Sequence, residues 1–76
     1  MHKYFFDRVS GTRSEYDYQG RVLPTPEKAF QLAELMALDL GVGEGGDWSG
    51  WSIDVRNAVG QQFFSVPVRE PALIAA

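Results

Sequence analysis

The sequence predicts an α+β fold, with element order β-β-α-β-β and one helix packed across one face of an antiparallel sheet. Three observations lead there. The stretch TPEKAFQLAELMALDL, Thr25 to Leu40, has the period of an amphipathic helix. Two extended segments precede it and two follow it, and turn-rich connections separate the members of each pair. Neighbouring strands joined by such short connections pair antiparallel, and their apolar face needs one covering layer.

The first strand reads from Lys3 to Val9. Tyr4 and Phe6 share one face, and Phe5, Asp7 and Val9 share the other. Three consecutive aromatics therefore place at least one ring on the face away from the helix. Ser10 to Ser14 is a turn by composition, and Glu15 to Tyr18 forms a short polar return strand at an edge. Gln19-Gly20 is a second turn. Arg21 to Pro24 approaches the helix extended, because the residue before a proline avoids the helical region.

Thr25 caps the helix, Pro26 fills its first position and Glu27 favours the positive end of its dipole. Gly41 and Gly43 are its stop signals. Ala29, Ala33, Met36, Ala37 and Leu40 form the inward stripe, flanked by Phe30 and Leu32. Glu27, Lys28, Gln31 and Glu34 form the opposite face. Leu35 and Leu38 break that division. Either they are incidental surface covered by the glycine-rich loop or the C-terminal tail, or they form a second interface, most simply a homodimer contact.

The loop GVGEGGDWSG, 41–50, is half glycine and so conformationally free. It has neither the lysine nor the preceding strand of a phosphate-binding loop. Trp51 to Arg56 alternates, with Trp51, Ile53 and Val55 on one side and Ser52, Asp54 and Arg56 on the other. Asn57-Ala58-Val59-Gly60 closes a hairpin. In the return strand, Gln61 to Val66, a simple glycine bulge would set Phe63 opposite Val55. The strand's own alternation instead turns Phe64 and Val66 inward, and this is the register expected. Pro67 ends the pairing or marks an edge. Residues 1–76 form a single domain with an ordered core at about 3–67 and a tail, 68–76. Its apolar part, Pro71 to Ala76, is either frayed or docked.

A 76-residue chain buries only about 60% of its extended surface, and without cysteine it has no disulfide or thiolate metal site to add stability. Self-association is the remaining common source of buried area. The net charge of −3, with scattered basic residues, argues against nucleic acid as the primary partner. No run approaches the ~20 apolar residues of a membrane span. The start, MHKYFFDRVS, is too short and too soon charged for a signal peptide. A cytoplasmic protein is expected.

Catalytic constellations are not visible. His2 is the only histidine and sits at the N-terminus, and no base is placed to activate a serine. Asp7, Glu15 and Asp17 could meet across the first hairpin and bind a hard cation, but solvated strand and turn residues beside Arg8 and Arg13 are the simpler account. Trp51 fits the core alternation. Trp48 lies in the loop, as a contact residue or folded back on its own sheet. The expectation is no enzyme, no cofactor, no metal, and an interface drawn from Leu35, Leu38, Trp48, Phe5 and Phe63.

Several short motifs, in this order and spacing, carry a resemblance. They are Tyr4-Phe5-Phe6-Asp7, Asp17-Tyr18-Gln19-Gly20, Leu23-Pro24, alanines at 29 and 33, Ile53-Asp54-Val55 and Gly60. Over roughly residues 3 to 66 the chain resembles the short bacterial proteins of domain-of-unknown-function family 6894. The insertion near 41–51 departs from that pattern. The resemblance implies a small bacterial domain and brings no catalytic residues. An architectural likeness to HicB-type antitoxins rests on strands placed before an amphipathic helix that opens with Thr and acidic residues. The function expected is a non-catalytic interaction or structural module that self-associates. The alternative is an antitoxin-like regulatory partner of another protein.

Overall fold

The computed structural model describes residues 1–42 and 48–68. The middle of the glycine-rich loop, 43–47, and the tail, 69–76, lie outside the described residues, and so do the expectations made for them.

Among the described residues five strands and one helix follow in order: β1 (His2–Val9), β2 (Ser14–Glu15), β3 (Arg21–Leu23), α1 (Pro26–Val42), β4 (Ser52–Asn57) and β5 (Gln62–Pro67). The sheet is antiparallel in the order β2-β1-β4-β5, and β3 also pairs with β1. β1 lies along β4 from Tyr4↔Asn57 to Val9↔Ser52. Its other side is shared. β3 faces its start, from His2↔Leu23 to Tyr4↔Arg21, and β2 faces its end, at Arg8↔Glu15 and Val9↔Ser14.

The return strand predicted over Glu15–Tyr18 is therefore shortened to Ser14–Glu15, and Arg21–Leu23, expected only as an extended approach to the helix, pairs with β1 as a further short strand. The chain leaves the sheet after Glu15 and rejoins it at Arg21. Between the two pieces the Asp17 side chain takes the place of a strand backbone, since its Oδ2 accepts the Phe6 N–H at 3.2 Å.

The helix starts where the sequence places it. The Thr25 hydroxyl accepts the Lys28 N–H at 3.2 Å, which satisfies one orphan donor of the first turn. It continues through Gly41 and ends at Val42, directly before the second of the two expected stop signals in the sequence, Gly43. Ala29, Ala33 and Ala37 are buried against Tyr4, Phe6, Ile53 and Val55. Three methyl side chains on the contact stripe let the helix axis lie close to the sheet. Leu23, Leu32, Met36, Leu40, Phe64, Val66 and Val68 seal the margins of this core. Phe30 meets Phe64 edge-on, with ring centroids 5.1 Å apart.

The last hairpin has the expected inward pair. Val66 stands opposite Ile53 and Phe64 opposite Val55, and the ladder slips between Val55 and Arg56. A slip by one residue along the whole strand would carry Phe64 and Val66 to the other face. The chain confines the irregularity to a bulge at Phe63 instead. Asn57 shapes the turn, its Oδ1 accepting the N–H groups of Val59 at 3.0 Å and Gln61 at 2.8 Å.

β5 is an outer strand, and two features limit what its edge offers. The Val68 N–H donates to the Trp51 carbonyl at 2.8 Å. Continuing the register, these two residues are directly opposed, so Val66 and Phe64 also turn their main-chain groups toward β4. Ser65 and Pro67 turn theirs outward, and Pro67 has no N–H to present. The bulge interrupts the other end. No helix among the described residues is long and apolar enough to cross a membrane.

Candidate functional site

The helix leaves one sheet face uncovered, and a polar clamp occupies it. Asp7 is only 4% exposed there. Its Oδ2 accepts the Arg56 Nε–H at 2.7 Å and its Oδ1 accepts the Asp17 N–H at 2.9 Å. Arg56 also donates from Nη2 to the Asp17 carbonyl at 3.2 Å. The Asp17 Oδ1 accepts the N–H groups of Gln19 at 3.0 Å and Gly20 at 3.1 Å. The Arg56 guanidinium lies 4.6 Å from the centre of the Phe5 ring, and the Lys3 ammonium 5.6 Å from it.

Gly20 completes the loop with φ 72°. A Cβ there would lie 2.9 Å from Lys3 Cε and 3.0 Å from the Tyr4 carbonyl oxygen, so only glycine fits.

Each oxygen of Asp7 and Asp17 already accepts an N–H. Glu15 stands apart and pairs with Arg8 at 2.7 Å. Among the described residues no group of three His, Cys, Asp or Glu side chains could hold a metal ion. The clamp is chemically a fastener, which fixes the excursion of residues 16–20 and the end of β1.

Burial pushes the Asp17 carboxyl up. The N–H donors of Gly20, Phe6 and Gln19, with the Arg56 charge, outweigh that and hold it below the ordinary carboxylate value. A carboxyl with a lowered folded-state pKa contributes stability above its unfolded pKa, about 3.9. That contribution is lost as pH falls below about 4 through the folded value. Urea unfolding of the wild type at a series of acidic pH values should therefore show stability falling through this window. In Asp17→Asn the fall should be shallower and the stability at neutral pH lower. Equal slopes in the two proteins would remove Asp17 from the acid response.

An apolar surface lies on the other side of the molecule. Leu35, Leu38 and Val42 are 63%, 48% and 53% exposed, at i, i+3 and i+7 of the helix. With Met36 and Asp39 they line a shallow depression of about 400 Å³. A groove of about 400 Å³ runs beside it between α1 and β5, lined by Phe30, Glu34, Ala37, Leu38 and Ser65 to Pro67. Leu38 borders both.

Of the five interface candidates, the structure brings Leu35 and Leu38 together. Phe63 projects at the β5 bulge, 41% exposed, with its ring 6.0 Å from that of Tyr4. Phe5 is half-buried on the opposite face beneath Arg56 and Lys3. Trp48 folds back edge-on to Trp51, centroids 5.0 Å apart, with the Arg8 guanidinium 5.4 Å from its ring. Val42 extends the leucine pair but was hidden in the sequence by Gly41, which reads as a helix stop. The recurring 3–4 spacing was the available signal.

No curated protein and no solved structure matches the chain. One family model matches residues 3–69, and its description is domain of unknown function (DUF6894).

Proposed function

The chain belongs to the DUF6894 family of domains of unknown function, and from that premise we propose that it is a non-catalytic interaction module of the bacterial cytoplasm that self-associates through the outer face of α1. The observation that carries this reading is the exposed row Leu35, Leu38 and Val42. Apolar side chains scattered singly need no account, but three in one row on the outer face of the helix are the kind of patch that contacts use. Pairing two such strips about a two-fold axis sets each leucine against its counterparts and adds the buried area that a chain this short lacks.

The acids beside the row, Glu34 and Asp39, favour a second reading. Two identical copies bring like charges together there, whereas an apolar partner rimmed with basic residues is complementary. An antitoxin-like role, with a different protein as partner, has that feature in its support.

Sedimentation velocity at micromolar concentrations tests the first reading. A dimer is expected for the wild type and a folded monomer for Leu35→Glu plus Leu38→Glu. A wild type that is monomeric throughout, or a dimer unchanged by both substitutions, overturns self-association through this strip.

A further inference from the structure

The place where β1 loses its partner strand is also the edge of a cleft. Continuing the β1–β2 register past Arg8↔Glu15 would set Phe6 opposite Asp17 and join their main chains by two hydrogen bonds. Neither forms. The Phe6 N–H goes to the Asp17 side chain, and the Asp17 N–H goes to the Asp7 side chain. The Phe6 carbonyl points to the same edge as its N–H and has no hydrogen-bond partner among the described residues. Phe6 as a residue is only 5% exposed. An acceptor left open in such a place calls for a donor from outside the chain.

The cleft has a volume of about 480 Å³ and lies between residues 15–21 and α1. Phe6 and Met36 give it an apolar floor, and Tyr16 and Tyr18, both exposed, stand at its rim. Arg8, Glu15, Asp17 and Arg21 are its charged residues. The first three are committed. Arg8 and Glu15 pair with each other, and the Asp17 oxygens accept the N–H groups of Phe6, Gln19 and Gly20. The Arg21 side chain is exposed and makes no ion pair or hydrogen bond among the described residues.

We propose that this cleft binds a small organic anion with a flat apolar body and an N–H donor. The carboxylate pairs with the Arg21 guanidinium, whose fork of N–H groups matches it. The ring lies on the floor of Phe6 and Met36 beside the two tyrosines. The ring N–H donates to the Phe6 carbonyl. Each uncommitted group then has a partner. An inorganic anion would leave the floor and the carbonyl unused, and a neutral hydrocarbon would leave Arg21 unused. The volume falls within the ~300–1,000 Å³ of small-molecule sites. One copy of the chain supplies the whole cleft, so the proposal goes beyond self-association and does not depend on it. Met36 is the one residue shared with the depression on the outer face of α1.

The probe is indoleacetate, titrated into the isotope-labelled chain and followed by amide chemical shifts. Shifts centred on Phe6, Tyr16 to Arg21 and Met36 are expected, with a dissociation constant on the order of 1 mM for a ligand of this size. The N-methyl derivative lacks the donor and indole itself lacks the carboxylate, and each should bind about fivefold more weakly or worse. Arg21→Gln should lower indoleacetate to the affinity of indole and leave indole unchanged. Arg13→Gln, at an exposed arginine outside the cleft, should change neither. No shifts at several times the expected dissociation constant overturn the proposal. So do affinities indifferent to the N–H or to Arg21, and so do shifts centred on Leu35, Leu38 and Val42. Because the readout is local, these outcomes stay separate from the sedimentation result.

Discussion

Arg56→Ala is expected to lower the unfolding free energy by about 3 kcal/mol, the low end of the range for breaking a buried ion pair. The substitution removes the Nε–H that Asp7 accepts at 2.7 Å and the Nη2–H on the Asp17 carbonyl. Asp7 then holds an uncompensated charge, since its side chain is 5% exposed. The low end applies because the arginine side chain is itself 27% exposed, so water reaches part of the vacated site. A domain of this length has about 4–11 kcal/mol in all, at ~0.05–0.15 kcal/mol per residue. The loss corresponds to about 12–24 °C in the thermal midpoint. Urea and thermal unfolding measure it. The double variant Asp7→Leu plus Arg56→Met should recover a large share, because replacing both charges leaves none stranded. A loss under about 1 kcal/mol in Arg56→Ala would mean that Asp7 regains water freely and that the ion pair holds the two strands no more tightly than an exposed one does.

Ala33→Leu should have a comparable effect by a different route. Ala33 has no exposed surface and lies at the centre of the inward helix stripe, above a sheet whose Ile53 and Val55 are equally inaccessible. Three added carbons at this spacing either lift α1 from the sheet or force strained rotamers. Overpacking of this kind costs about 1–3 kcal/mol, and the upper end applies where both surfaces are continuous secondary structure. Ala33→Gly tests the same contact from the other side and should cost about 1 kcal/mol, chiefly through helix propensity. If the leucine variant unfolds at the wild-type midpoint, the alanine stripe does not set the distance between layers.

What could be read in advance follows from where the determining contacts lie. The helix start was legible because Thr25, Pro26 and Glu27 act within one turn, and the buried alanines because they share one period. Phe64 and Val66 were legible as inward residues because alternation is a property of the strand itself. The early end of the return strand was hidden. It depends on Asp17 reaching the backbone of Phe6, eleven residues earlier, and a local pattern carries no trace of such a bond. Arg56 shows the same limit. Alternation gave its face correctly, but not that the same face holds an aspartate removed from water 49 positions away. Asp54, placed by alternation on the side away from Ile53 and Val55, accepts the Ser65 hydroxyl at 2.7 Å, a contact between directly opposed residues. In the exposed row on α1, Leu35 and Leu38 announced themselves by violating the polar side of the helix. Val42 did not, because a glycine inside a helix looks locally like its end.

The outer strand bears on how the protein behaves when crowded. QFFSV is uncharged and carries two aromatic rings and a valine, a composition from which cross-β fibrils are seeded. Its proline and its extra phenylalanine act as gatekeepers that deny an incoming chain a continuous ladder, while the opposite margin is guarded by strands of only two and three residues. A chain arriving at either margin of the sheet therefore finds no long, unbroken row of main-chain groups to extend.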